Sequence, residues 1–452
     1  MSTVVIRRGA VVTMDADDRV LDADVLVRDG VIAALLAPGA PVPASSPAES
    51  AASPVTELDA TGCVVLPGLV QSHVHLCQVL FRGLADDLPL LRWLRERIWP
   101  LEGAHDASSL RASAELGVAE LLLGGTTTVL DMGTVHHHDV VFEVMRDAGI
   151  RGISGKTMMD VGEGVPAGLR ETTAESLRES ERLEARWRGA GDGRLGYAYA
   201  PRFILSCSEG LLREVAALAA RSGALVHTHA AEHAEEREAV YSALGKDDVR
   251  ALADCGIEGP RAVLAHCVQL RDDEIARLAQ VGTRVVHCPS ANLKLASGLA
   301  PVVAMRRAGI VVGIGADGAP CNNRLDALLE VREAALLAKA KLLDASALPA
   351  KDALAMATRD GATLLGLGAS IGSIEPGKRA DVVVVRIDSP WSEPGGDAIA
   401  RVVYTCTAQD VRHVVVDGHV RVRERELLGV DLGALRDRAR IEMRRVVERA
   451  GL

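Results

Sequence analysis

The chain has 452 residues, 48% hydrophobic and 25% charged, which gives enough apolar surface for a large core with a smaller domain beside it. A formal charge of -10, with basic residues scattered along the chain, supplies no positive field for a phosphate backbone, and 2% aromatics leave few stacking platforms. A nucleic-acid polymer is therefore not an expected partner.

Short strands are expected first, at residues 4–6, 11–13 and 25–27, and the stretch from Met1 to Val20 lacks the apolar core and cleavage site of a signal peptide. A Pro/Ala/Ser-rich segment at 37–54 reads as a surface loop. From Pro67 onward, short β-branched runs alternate with segments of helical period, the pattern of repeated βα units. The runs fall at 64–75, 126–132, 150–158, 194–199, 224–229, 262–266, 283–287 and 310–316. Eight such units close a (β/α)₈ barrel, whose chemistry sits at the carboxyl ends of the strands. Beyond about residue 370, short strands return at 374–377, 380–385 and 413–418.

The predicted fold class is thus α/β, a TIM-like (β/α)₈ barrel with a small β-sandwich domain built from both chain ends. Residues 1–65 give the first part of the small domain, 66–370 the barrel, and 371–452 the rest of the small domain with a terminal helix. No run reaches the ~20 uncharged apolar residues that a membrane helix needs. The eight cysteines are dispersed without a C-x-x-C pair, which suits a reducing compartment and a cytoplasmic location.

Polar titratable residues gather at the predicted strand ends. His73 and His75 close the first run, and residues at i and i+2 of a strand share a face. His229 closes the fifth, His266 the sixth, His287 the seventh, and Asp317 follows the eighth. An unpaired polar group in a barrel core would cost ~1–3 kcal/mol, so core packing explains this set poorly. Three imidazoles and a carboxylate suit an open site for Zn²⁺ or Fe²⁺. His227 reads as a core histidine, His287 leaves both readings open, and His136-His137-His138 reads as a solvated loop.

The runs PGLVQSHVHLCQ, RGLADDLPLLRWLRERIWPLE, VHTHAAE, LAHCVQL, VHCPSANLKLASGLAPV and GIGADGAPCNN resemble the amidohydrolase superfamily, in particular its deaminases of 5'-deoxyadenosine, 5'-methylthioadenosine and S-adenosylhomocysteine. The resemblance implies a deaminase with one divalent metal, zinc ahead of iron, bound by His73, His75, His229 and Asp317. It also implies that Asp317 takes a proton from the attacking water, that Glu232 is the acid, and that His266 orients the water. Glu102 matches a position that accepts from ribose hydroxyls, and Trp93 one that lines the same pocket. The fourth predicted strand end, Tyr197 to Arg202, has no lysine to bridge a second metal, so a mononuclear site is expected.

Arg202 after Pro201, Gln78, and Lys156 after Gly155 are instead similar to guanine deaminases, and an arginine fork with an amide suits a ring carbonyl. A guanine- or pterin-type aminohydrolase and an s-triazine hydrolase are the alternatives. A non-catalytic relative of the fold is disfavoured, because the whole ligand set and Glu232 are present. The expected partners are a small-molecule substrate and further copies of the chain, with neither membrane nor nucleic acid.

Overall fold

A computed structural model describes residues 3–43 and 55–452; residues 44–54 of the expected surface loop lie outside the described residues. The β-branched runs near both chain ends form two sheets. One joins Val31–Leu36, Asp24–Arg28, Thr3–Arg7 and Val55–Asp59 in that order. The other runs Glu426–Leu427, His419–Arg423, Val411–Val416, Val382–Arg386, Cys63–Pro67, Ala10–Val12 and Val20–Asp22. Val382–Arg386 pairs antiparallel with Cys63–Pro67, so the two chain ends share a sheet as expected. Because side chains alternate along a strand, Val382 and Val384 enter the apolar layer of the small domain, while Val383 and Val385 enter the barrel-side core.

The run expected at 64–75 is two strands. Cys63–Pro67 belongs to the small domain and Leu69–His75 begins the barrel. Gly68 lies between them, and a Cβ there would come 2.2 Å from Thr127 Oγ1, so only glycine lets the chain change sheets this close to its neighbour.

The barrel strands are β1 (Leu69–His75), β2 (Thr126–Met132), β3 (Arg151–Gly155), β4 (Leu195–Pro201), β5 (Leu225–Ala230), β6 (Ala262–His266), β7 (Arg284–His287) and β8, formed by Val312–Ile314 and resumed at Asp317–Gly318. Neighbouring strands are parallel, and helices cover the outside. Thr173–Trp187 is one of them. It starts on a reciprocal cap between Thr172 and Glu175 and buries Leu183 and Trp187.

β8 closes the ring in two steps. Val312–Ile314 pairs with β7, and Asp317–Gly318 pairs with β1, Asp317 opposite Val74 and Gly318 opposite His75. At Gly315, between these segments, a Cβ would lie 2.5 Å from the carbonyl oxygen of His73, so glycine is required for the last strand to approach the first. Closure thereby sets the carboxylate of β8 beside the histidines that end β1. No helix among the described residues is long and apolar enough to cross a membrane, and all eight cysteines are buried thiols.

A buried ionic knot ties the small domain to the barrel. Arg151 at the start of β3 donates through Nε and Nη2 to Asp381 at 2.8 and 3.0 Å, and through Nη2 to Asp417 at 2.9 Å. Burial alone would disfavour the guanidinium charge, but the two carboxylates raise its pKa. Removing one partner of such a pair leaves a buried charge uncompensated. Arg151→Ala is expected to lower the free energy of unfolding by about 3–5 kcal/mol in urea denaturation, and Asp381→Asn added to it should return part of the loss.

Candidate active site

The carboxyl ends of β1, β5, β6 and β8 bring together side chains from distant parts of the sequence. His73, His75, His229 and Asp317 each offer one ligand atom, and these atoms all lie within 4.8 Å of one another. Asp317 Oδ1 is 3.2 Å from His73 Nε2 and 3.3 Å from His75 Nε2, and the Nε2 atoms of His75 and His229 are 3.3 Å apart. Asp317 Oδ2 accepts from the Cys321 thiol at 3.2 Å. The backbone is strained here: His266 and Asp317 have φ of 72° and 62°, a left-handed conformation that non-glycine residues hold only where the surroundings enforce it.

Hydrogen bonds on the far side of each ring settle which nitrogen faces inward. His75 Nδ1 donates to the carbonyl of Met132 at 2.7 Å, His229 Nδ1 to the carbonyl of Arg202 at 2.6 Å, and His266 Nδ1 to Asn292 Oδ1 at 2.9 Å. A carbonyl oxygen only accepts, so these rings carry their hydrogen on Nδ1 and turn the Nε2 lone pair into the site. His73 Nδ1 instead meets His227 Nε2 at 2.8 Å.

Burial lowers the His73 pKa to about 4 against the pull of Asp317. Burial also favours neutral His75, but adjacent Asp317 outweighs it and raises the pKa, a local demand for positive charge. Asp317 resists burial through its contacts with His73 and His75, which hold it well below the usual carboxylate range.

This donor set fits a divalent cation. Ligand atoms 2.0–2.1 Å from a common tetrahedral centre stand about 3.3–3.4 Å apart; three of the six separations are 3.2, 3.3 and 3.3 Å, and all lie within 4.8 Å. With hydrogens on Nδ1, neither His75 nor His229 can donate to the other across that gap. His73 Nε2 and His266 Nε2 are likewise buried without a hydrogen-bond partner.

Glu232 follows β5, and its Oε2 lies 3.5 Å from His266 Nε2. Burial, and after it the charge of Asp317, pushes its pKa well above the usual value, which favours the protonated acid. Its backbone is fixed by Glu236 Oε2, which accepts from Glu232 N at 2.9 Å. A cleft with about 390 Å³ of atom-free space opens above, lined by Gln78, Trp93, Arg202, Glu232 and His266 among others.

Glu102 is buried behind this lining. Its Oε1 accepts from Gln78 Nε2 at 2.8 Å and from Arg202 Nη2 at 3.3 Å, and its Oε2 accepts from Arg202 Nη1. Lys156 departs from expectation: it is wholly buried, and its ammonium is held by Glu171, Ser176 Oγ and the Thr157 carbonyl rather than turned to the cleft. Burial disfavours this ammonium and lowers its pKa, and the Glu171 carboxylate, with the Ser176 and Thr157 oxygens, offsets that cost without a ligand.

His287 is buried apart from the ligand group, beside Asn292 in a separate small cavity. His136 and His137 are exposed as expected, but His138 is buried and meets Ser154 Oγ at 2.9 Å. Ser154 donates to Asp131, whose other oxygen accepts Leu76 N at 2.8 Å and so pins the turn after His75. Burial raises the Asp131 pKa to about 6 against these hydrogen bonds. Asp131, Ser154 and Asn292 were not expected at the site. A carboxylate inside the apolar run 126–132 was the one available signal.

Comparison with known proteins gives a consistent result. The amidohydrolase family model matches residues 64–421. A 5'-deoxyadenosine deaminase of Methanothermobacter thermautotrophicus is 41% identical over 372 residues, covering 82% of this chain and 85% of that protein. A 5-methylthioadenosine/S-adenosylhomocysteine deaminase of Halobacterium salinarum is 40% identical over 399 residues, covering 87% and 89%. The crystal structure of an adenosine deaminase from Xanthomonas campestris with bound zinc superposes with a TM-score of 0.90 at 33% identity, covering 99% of each chain. With its match spanning all eight barrel strands and reaching into the small domain, this chain belongs to the amidohydrolase family.

Proposed function

We propose that this chain is a hydrolytic deaminase that releases ammonia from the exocyclic amino group of an adenosine-like nucleoside, of the 5'-deoxyadenosine, 5'-methylthioadenosine or S-adenosylhomocysteine type named for its relatives. The carrying observation is the convergence of His73, His75, His229 and Asp317 within 4.8 Å, beside the buried carboxyl of Glu232. These four residues would hold one divalent cation, zinc ahead of iron. When bound, such a cation supplies a nucleophile at neutral pH by lowering the pKa of water from about 15.7 to about 7. Pro201 and Arg202 stand at the end of β4 and Lys156 is tied to Glu171, which supports a single cation.

Asp317, held ionised, accepts one proton of the attacking water. Glu232, held neutral, donates to the ring nitrogen next to the amino-bearing carbon and makes that carbon electrophilic. His266 Nε2, 3.5 Å from Glu232 and 3.9 Å from Asp317, is an acceptor placed to orient the water between them. The proton on Asp317 then passes to the amino group, which leaves as ammonia. As the carbonyl forms, the remaining water proton returns to Glu232, whose original proton stays on the ring nitrogen. One water is consumed, and both carboxyl groups end in their starting states.

A second reading, an aminohydrolase of guanine-like bases or pterins, is favoured by the ion pair behind the cleft. Glu102 would have to accept ribose hydroxyls in the nucleoside reading, yet its oxygens already accept from Arg202 and Gln78. A ring carbonyl would be met by that same guanidinium and amide.

Glu232→Gln should retain the metal while turnover falls about 100- to 10,000-fold, the range for loss of a general acid; turnover at the wild-type rate would remove Glu232 from the chemistry. His229→Ala should lose metal and activity together, read by metal analysis of the purified protein. Ammonia release measured across adenosine, 5'-deoxyadenosine, 5'-methylthioadenosine, S-adenosylhomocysteine, guanine, a pterin and a hydroxytriazine decides the substrate. Nucleosides should lead in kcat/KM, and a lead by guanine or the pterin establishes the second reading instead.

A further inference from the structure

His227 lies on β5 two residues before His229, and the alternation of the strand turns both rings into the barrel. It is fully buried, with its ring nearly perpendicular to that of His73 at 88° and their centroids 4.8 Å apart. Its Nε2 is 2.8 Å from His73 Nδ1, and its own Nδ1 is buried without a partner. A histidine present only to fill space has no need to aim one nitrogen at a neighbouring ring at hydrogen-bond distance.

Two arrangements of hydrogens satisfy that contact. In one, His227 Nε2 donates to His73 Nδ1, which leaves the hydrogen of His73 on Nε2 and closes that nitrogen to a cation. In the other, His73 Nδ1 donates to His227 Nε2, the His227 hydrogen sits on Nδ1, and the His73 Nε2 lone pair faces Asp317 and the other imidazoles. The surroundings of Nε2 favour the second: it lies 3.2 Å from Asp317 Oδ1, buried with no hydrogen-bond partner and among the inward nitrogens of the other rings. His75, His229 and His266 have their inward nitrogens fixed by carbonyl oxygens. His73 has no carbonyl in that place.

We infer that His227 is a positioning residue that accepts the Nδ1 proton of His73 and so presents His73 Nε2 to the cation. This rests on the metal reading given above. The two neutral rings trade tautomers without a net charge change; the second state leaves the His227 Nδ1 hydrogen buried without a partner, a desolvation cost that a cation on His73 Nε2 offsets. Loss of a hydrogen-bond partner behind a ligand histidine generally weakens metal binding by about 10- to 100-fold.

The test compares wild-type protein with His227→Gln, whose side-chain oxygen can take the place of Nε2 as acceptor, and His227→Leu, which fills the space without accepting. Zinc release to a competing chelator is timed on each zinc-loaded protein, with circular dichroism to verify folding. His227→Leu should release zinc about tenfold faster or more, while His227→Gln should stay within about threefold of wild type and KM should be unchanged in both. Wild-type-like retention by folded His227→Leu overturns the inference, as does equal weakening of the two variants, which would mark a packing role. If His227→Leu fails to fold, imidazole ¹⁵N shifts of the zinc-loaded wild type decide instead: a hydrogen on His227 Nδ1 supports the inference and one on Nε2 overturns it. A wild-type protein that takes up no zinc overturns the metal reading itself, and this inference with it.

Discussion

Bringing three imidazoles and a carboxylate to one largely buried point strips each of water, and the lone pairs that replace that water repel one another. His75 Nε2 faces His229 Nε2 and Asp317 Oδ1, each at 3.3 Å, with the hydrogens of both rings held on their outer nitrogens. Only positive charge at the centre makes such a cluster stable. The rest of the site follows from this demand, because a group that meets it also sets the ionisation of its neighbours. The negative charge of Asp317 adds to burial in raising the Glu232 pKa, and the contacts of Asp317 with the histidines lower its own. Two carboxyl groups in one pocket are thereby driven to opposite states, which is what a proton donor and a proton acceptor require.

The barrel supplies the precision that the cluster needs. Each strand end contributes at most two of the clustered side chains, so the relative positions of β1, β5 and β8 fix the geometry. The closing contact of Asp317–Gly318 on β1 does most of this, and Gly315 makes that contact sterically possible. Around the ligands stands a ring of groups that never face the cleft centre: Met132 and Arg202 through their carbonyls, Asn292 through its amide, and Asp131 with Ser154 and His138 behind the turn after His75. These partners choose tautomers and lock rotamers before any ligand arrives, which lowers the entropy lost on binding.

Much of this was legible in the sequence because strand period and strand ends leave local marks. The β-branched runs located the barrel strands, and histidines at i and i+2 marked the end of β1. What was not legible depends on contacts between remote segments. The single run at 64–75 concealed a change of sheet, since the apolar residues of Cys63–Pro67 lead straight into Leu69 and Val70 and only Gly68 separates the two strands. The similarity to guanine deaminases puts Lys156 at the cleft, but Glu171 lies 15 residues on and draws the ammonium away. His138 was grouped with two exposed neighbours because nothing local reveals that its ring reaches Ser154. His227 looked like an ordinary core residue for the same reason: the atom it meets belongs to a residue 154 positions away.

Arg202 joins two tasks that are chemically independent. Its carbonyl orients His229, and any residue with the same backbone path would provide that. Its guanidinium pairs with Glu102, and only a planar cationic fork can satisfy both carboxylate oxygens while still lining the cleft. Position 202 can therefore change what the cleft recognises without disturbing the ligand that its backbone holds. The same separation applies to Gln78, whose side chain touches Glu102 while the turn that carries it is pinned by Asp131. A reaction centre fixed by backbone carbonyls and barrel closure, with recognition carried by side chains at the same positions, lets one family keep its chemistry while its members differ in the ring they accept.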